Sequence, residues 1–225
     1  MSGELRALGL AHGLILGLLL ASPLVAPGLL PWGVDALLLV GGFQLRLADR
    51  RFALRGEAKD WISHILMAPT RLLRWGATAV VALIAGDMGL AQTIALAAIV
   101  CELVAYPLCT LLLGQRGLRW STGALILLLV AIGVMARNPA HPILCFLIGV
   151  TACMVWLRGP DGEPRALALA LGGGAAATLT LLVPGALPFA APIITVCATW
   201  VLAHLSVLRR RPLPWRLGTP PIRVR

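Results

Sequence analysis

The sequence predicts an all-helical protein built into a membrane, a polytopic bundle of about eight transmembrane spans arranged as successive hairpins. Of its 225 residues, 59% are hydrophobic and 12% are charged, whereas soluble domains carry about 25% charged residues. The apolar residues come in runs near the length that crosses a bilayer, about 20 residues. The charged residues mostly lie between these runs. We therefore expect a single integral membrane domain over residues 1–225.

Each span is predicted from one apolar run. The first run could pass for a signal peptide, but Arg6 is balanced by Glu4 and no small-residue cleavage site follows, so we expect an uncleaved helix. The second and third runs are short, and the second carries Asp35 and Gln44; without these two, six crossings remain. In chain order, the predicted spans cover residues 7–25, 32–45, 72–85, 90–113, 120–136, 141–157, 166–183 and 187–208.

The basic residues predict the orientation of the spans. When the N-terminus is placed in the cytoplasm and the spans alternate, every Lys and Arg except Arg137 falls on the cytoplasmic side. Such a bias is typical of the inner (plasma) membrane of bacteria and predicts an even number of crossings with both termini cytoplasmic. Residues 46–75 then form a cytoplasmic loop, and residues 209–225 form a basic tail. The net charge of +10 thus indicates contact with anionic lipid headgroups and does not indicate nucleic-acid binding.

Residues 46–75 are predicted to form a basic loop followed by an interfacial segment. Pro69 should interrupt any helix there, and the mixture of Trp, Ile, Leu and Arg favours the headgroup boundary. An ordinary basic loop is the alternative. The candidates for binding a lipid headgroup or a phosphate are Arg50, Arg51, Arg55, His64, Arg71 and Arg74.

Glu102 is the most informative polar residue, because it lies near the middle of the fourth predicted span. A charge at that depth costs about 2.5–3.5 kcal/mol on insertion scales, so the side chain should face the bundle interior. Tyr106 follows on the same helix face, and Pro107 weakens the helix hydrogen bonding. These three residues predict a proton or cation site, with His12 or His204 as distant partners. The alternative is a neutral carboxyl that holds two helices together.

The remaining polar and small residues give weaker signals. Asp35 and Asp87 lie near predicted outer helix ends, where they are solvated or line a vestibule. The cysteines all lie inside apolar runs without a CxxC pair, so we expect apolar packing, no metal site and no cofactor. A haem held by His12 and His204 is a less favoured alternative. Small-residue faces at Gly9, Gly13, Gly17 and at Gly172–Gly174 predict close helix packing or contact with a partner.

The sequence leaves three functions open, and it contains no phosphate-binding loop, HExxH or GxSxG motif. The favoured one is a non-enzymatic subunit or accessory protein of a larger membrane complex, with other membrane subunits as partners. The second is a small transporter or exporter that uses Glu102. The third is a membrane enzyme that acts on lipid-linked substrates at the cytoplasmic face, with the basic loop holding the phosphate. The missing motifs favour a protein that is not an enzyme.

Overall fold

The computed structural model describes residues 3–25, 30–49, 58–114, 116–135, 140–159, 164–183 and 185–208. Within these ranges nearly every residue is helical and no strand occurs, which confirms the all-helical prediction. The elements are α1 (Gly3–Val25), α2 (Leu30–Ala48), α3 (Ala58–Leu66), α4 (Ala68–Ile84), α5 (Met88–Val100), a π-helical turn (Cys101–Ala105), α6 (Tyr106–Leu113), α7 (Leu118–Val134), α8 (His141–Arg158), α9 (Pro164–Thr180) and α10 (Leu187–Leu208).

Three helices are long and apolar enough to cross a bilayer, judged by length and composition over the described residues. They are Met88–Leu113, His141–Arg158 and Leu187–Ser206, and shorter apolar stretches lie in α4, α7 and α9. Large apolar side chains face outward, with Val134 77% exposed and Leu182 83% exposed. Extended apolar patches of this kind mark surfaces that are covered in the native environment. The apolar helices are therefore compatible with an integral membrane protein.

Helices α2 and α8 form the centre of the bundle and are packed against each other at very short range. A Cβ atom placed on Gly149 would lie 1.9 Å from the carbonyl oxygen of Leu39, and one on Gly42 would lie 2.3 Å from that of Phe146. Both glycines thus allow backbone to approach backbone, as small residues do between membrane helices. Phe43 completes this core, and α1, α7 and α10 pack around the pair.

Helix α2 is longer than the second predicted span, residues 32–45. Its apolar run is short and carries Asp35 and Gln44, which made it a weak span in the sequence. In the structure Gln44 is only 4% exposed and Asp35 is paired with His141. These polar residues therefore face the interior of the bundle. Hydropathy alone does not show this, because it does not tell which side chains of a helix are buried.

The chain breaks its helix at Met67, close to the predicted interruption at Pro69. Helix α3 ends at Leu66 and α4 begins at Ala68, with the proline in its first turn. Proline is tolerated there because the first N–H groups of a helix have no partner within the helix. The third predicted span, residues 72–85, is thus the greater part of α4.

The two small-residue faces behave differently. On α9, a Cβ on Gly173 or Gly174 would lie 3.5 or 3.3 Å from Cys197 of α10, so this face packs as predicted. On α1, nothing within the described part of the chain lies within 4 Å of a Cβ on Gly9, Gly13 or Gly17. The α1 face is therefore not used for packing among the described residues.

Candidate functional site

The helix that carries Glu102 changes its hydrogen bonding at this residue. In the π turn Cys101–Ala105, the N–H of Tyr106 donates to the carbonyl of Cys101, five positions back instead of four. Pro107 comes next and has no N–H to donate. With the same five-residue spacing, an N–H at position 107 would donate to the carbonyl of Glu102. Because Pro107 has no N–H, the helix backbone supplies no donor to that carbonyl. Single π turns inside α-helices occur frequently at functional sites.

His64 supplies the donor that the helix ladder lacks. Its Nε2 lies 2.9 Å from the carbonyl oxygen of Glu102. A carbonyl only accepts hydrogen bonds, so Nε2 carries the proton in this contact. The imidazole also stacks on the Tyr106 ring, with 5.2 Å between ring centroids and an interplanar angle of 22°. The side chain is 6% exposed. His64, predicted as a headgroup ligand, thus lies inside the bundle and anchors α3 on the π turn.

The carboxyl group of Glu102 is enclosed by α4. The residue is 3% exposed, and Trp75 Nε1 lies 3.4 Å from its Oε1 at the long end of hydrogen-bond range. His12 of α1 packs edge-to-face on the same tryptophan, with 6.2 Å between ring centroids. Of the two histidines expected as partners, His12 therefore lies near the carboxyl. His204 instead accepts a hydrogen bond of 3.1 Å at Nδ1 from Trp156.

Tyr106 extends the polar cluster to the end of α2. Its hydroxyl donates to Asp49 Oδ2 at 2.5 Å, although the tyrosine itself is 0% exposed. Arg46, one turn earlier on the same helix, lies beside this hydroxyl. Its Nε is buried and has no hydrogen-bond partner among the described residues. A polar track of neighbouring side chains therefore runs from His64, on the backbone carbonyl of Glu102, through the stacked Tyr106 ring to Asp49.

Arg158 of α8 forms hydrogen bonds with the end of α6 and the start of α7. Its Nη2 donates to the carbonyls of Leu113 at 2.8 Å and Gly114 at 2.7 Å, and its Nη1 donates to Ser121 Oγ. The last carbonyls of a helix have no partner within the helix. The guanidinium thus satisfies the C-terminus of α6 from α8 and also holds the start of α7.

The other predicted site residues have mixed positions. Pro107 is buried beside the cluster. Asp87 caps α5, accepting a hydrogen bond of 2.8 Å from the N–H of Leu90. Arg50, Arg51 and Arg55 lie outside the described residues, and Arg71 and Arg74 lie on α4 with side chains outside the described part. The interpretation of these five arginines as headgroup ligands stays a prediction.

Sequence reasoning identified Glu102, Tyr106 and Pro107 but missed Asp49 and Trp75. The hydrogen bonds to the missed residues span 57 and 27 positions of the chain. No local pattern reports contacts at such separations. The available signal was the position of both residues at the ends of apolar runs.

The hydrogen bond from His64 can be tested through its coupling to Pro107. His64→Ala should cost about 1–3 kcal/mol, because it leaves a buried carbonyl without its donor. Pro107→Ala supplies an N–H at the position where the ladder lacks one, so it should recover part of that loss. Thermal unfolding of both single variants and the double variant in detergent gives the coupling free energy.

The matched control is Pro192→Ala, which removes the proline inside α10. Its effect should add to that of His64→Ala within about 0.5 kcal/mol. If the effect of Pro107→Ala were equally additive, His64 would not be replacing the missing helix donor.

Comparisons with protein-family models, with curated proteins and with solved structures give no match. The class of protein is therefore defined by the fold and the site alone. The chain is an all-helical protein with several apolar helices compatible with an integral membrane protein. Its best-defined polar site is the cluster around the π turn at Glu102.

Proposed function

We propose that this protein is a small multi-pass transporter in which Glu102 binds and releases a proton. The observation that carries the proposal is the convergence of α3, α4 and the end of α2 on one π turn in an otherwise apolar helix. A carboxyl group at the middle of a span costs free energy that packing alone does not require. His64, Tyr106 and Asp49 place further polar groups beside the π turn that carries this carboxyl.

The chemistry of the cluster supports reversible protonation. When Glu102 is neutral, its burial costs much less than burial of the ionised carboxylate. When it is ionised, the Trp75 N–H is placed to donate to the carboxylate, and charge-assisted hydrogen bonds are the strong ones. The π turn at Glu102 is a local departure from α-helical bonding, and such turns occur frequently at functional sites. Tyr106 and Asp49, joined by a short hydrogen bond, lie on the way out.

The proposed topology has eight spans, with both termini in the cytoplasm of a bacterial-type cell. The positions of the cations support it. Arg158 contacts the C-terminal end of α6 and the start of α7, and the bond from Tyr106 to Asp49 brings the end of α2, with Arg46, to the same end. Basic residues gathered at one end of a bundle are typical of the cytoplasmic side. The proton path then opens towards the cytoplasm.

Proton flux into proteoliposomes tests the proposal. A potassium diffusion potential drives protons into vesicles that contain a pH-sensitive dye. We expect the wild type to acidify the lumen faster than protein-free vesicles do. Glu102→Gln removes the titratable group and keeps its shape, so the added flux should fall about 100-fold or more, the usual effect of deleting a proton-transfer group.

Asp87→Asn is the matched control, because Asp87 is an exposed helix cap. It should leave the flux unchanged in protein of equal yield and orientation. A wild type that behaves like protein-free vesicles, or a Glu102→Gln variant with full flux, would contradict the proposal.

The second candidate function is a subunit of a larger membrane complex. The observation that favours it is the α1 face at Gly9, Gly13 and Gly17, which is exposed and has open space beside each glycine in the described part of the chain. Purification in mild detergent followed by mass spectrometry tests this candidate through stoichiometric co-purification. An enzyme that uses His64 on lipid-linked substrates is less favoured, because the imidazole is buried against Glu102.

A further inference from the structure

A second polar cluster lies between α2 and α8, at the end opposite to Arg158. His141 begins α8 and Cys145 follows four residues later, so both lie on one helix face. The packing of α2 on α8 adds Asp35, whose Oδ1 is 3.3 Å from His141 Nδ1. Cys145 Sγ is 3.9 Å from the same nitrogen. The three ligand atoms all lie within 4.8 Å of one another.

These separations are close to those of a tetrahedral metal centre. Zinc binds His nitrogen and carboxylate oxygen at about 2.0–2.2 Å and Cys sulfur at about 2.3 Å, which places neighbouring ligand atoms about 3.3–3.6 Å apart. The Asp35–His141 distance already meets this requirement. The sulfur of Cys145 must approach by about 1 Å, which a rotation of its side chain can provide. One thiolate, one imidazole and one carboxylate are donors that zinc prefers over calcium or magnesium.

A small cavity of about 10 Å³ lies beside the cluster and is lined by Asp35, Cys145, Trp32 and Thr195, among others. This volume holds about one water molecule. Three protein ligands and one water are the arrangement of an open zinc site. The cavity borders two of the three ligands, Asp35 and Cys145, and has room for a water molecule as the fourth.

The charges also fit a divalent cation. Cys145 is 1% exposed and His141 is 8% exposed, so the cluster is largely removed from solvent. An isolated ion pair in such a place is weak evidence for stability, because desolvation offsets the attraction. A thiolate and a carboxylate together carry two negative charges, which neutralise Zn²⁺ when the imidazole is neutral. The cluster with Zn²⁺ bound would therefore carry no net charge.

We propose that Asp35, His141 and Cys145 bind one Zn²⁺ ion, with a water molecule as the fourth ligand. The ion links the start of α2 to the start of α8. This site is separate from Glu102 and goes beyond the proposed proton transport. No metal site was expected from the sequence, because Asp35 lies on another helix and joins His141 and Cys145 only through packing.

Cobalt titration of the purified full-length protein tests the site. Co²⁺ replaces zinc, and a thiolate ligand gives a charge-transfer band in the near ultraviolet. We expect one equivalent of Co²⁺ to produce that band, together with the visible bands of tetrahedral coordination, and Zn²⁺ to displace it. Cys145→Ser should abolish the charge-transfer band and weaken binding by about 100-fold or more, beyond the effect typical of outer-shell changes.

Cys153→Ser is the matched control, because Cys153 is a buried cysteine on the same helix, about 12 Å further along. It should keep the band, and so should Glu102→Gln, which separates this site from the proton site. Absence of a thiolate band in the wild type would overturn the proposal even if the variants failed to fold. Equal loss of binding in the Cys145→Ser and Cys153→Ser variants would do the same.

Discussion

Replacing Gly149 with valine is expected to prevent the protein from folding. A Cβ on this residue would lie 1.9 Å from the carbonyl oxygen of Leu39, 2.8 Å from its carbonyl carbon and 3.0 Å from the backbone nitrogen of Phe43. All three atoms belong to the backbone of α2, so no side-chain rotation relieves the overlap. Helices α2 and α8 would have to separate along the centre of the bundle.

The expected size of this effect follows from the packing. Overfilling a core costs about 1–3 kcal/mol when side chains can adjust. Separation of α2 from α8 loses more, because it also opens the contacts of Phe43 and Phe146, both 0% exposed. The total stability of a typical domain is only about 5–15 kcal/mol. We therefore expect little folded protein from Gly149→Val, and a large loss of stability even from Gly149→Ala.

Gly172→Val is the matched control, since Gly172 also lies within a helix and nothing described lies within 4 Å of its Cβ position. The measurement is the yield of monodisperse protein in detergent and its midpoint of thermal unfolding. Gly172→Val should unfold near the wild-type temperature. If both variants had the same midpoint, the close approach of α2 and α8 would be wrong.

Replacing Arg158 with methionine is expected to have the second largest effect on stability. The guanidinium donates three hydrogen bonds, to Leu113, Gly114 and Ser121. Hydrogen bonds to charged groups contribute about 1.5–3 kcal/mol each. Because the site is only partly buried, water can replace some of them, and we expect a loss of about 2–5 kcal/mol. The unfolding midpoint in detergent measures it.

Two further substitutions serve as reference points for the loss of stability in Arg158→Met. Arg158→Lys keeps the charge but loses the planar fork that reaches two helices at once, so it should fall between wild type and Arg158→Met. Arg119→Met removes an exposed arginine from the first turn of α7, and such changes usually alter stability by about 0.5 kcal/mol or less. Equal effects at the two positions would show that Arg158 does not hold the helix ends together.

Much of the architecture follows from local sequence. Apolar runs predicted the all-helical class and most helix positions. This works because the residues of one helix are consecutive in the sequence, so its apolar character can be read from a single segment. Helix α2 was underestimated for the same reason: Asp35 and Gln44 lower its apparent apolarity, and the partner of Asp35, His141, lies on another helix. The break near Pro69 was predictable from the chemistry of proline alone.

The residues of the candidate site were also predictable from the sequence only in part. The sequence pointed to Glu102, Tyr106 and Pro107, because a carboxyl in the middle of an apolar run and its helical neighbours are visible in one segment. It placed His64 with the headgroup candidates, because the contact of its imidazole with the π turn crosses 38 positions. The π turn itself was not predicted, although Pro107, which has no N–H to donate, lies five residues after Glu102.

The sequence by itself determined the helical class, the apolar character of the helices and the position of Glu102 in the middle of an apolar run. The tertiary structure decided which helices meet and therefore which side chains share a site. The glycines show the physical reason. Gly9, Gly13 and Gly17 form the more regular pattern, yet Gly42 and Gly149 make the close contacts. A pattern along one helix shows that a close approach is possible, but the shapes of two facing helices determine where it occurs.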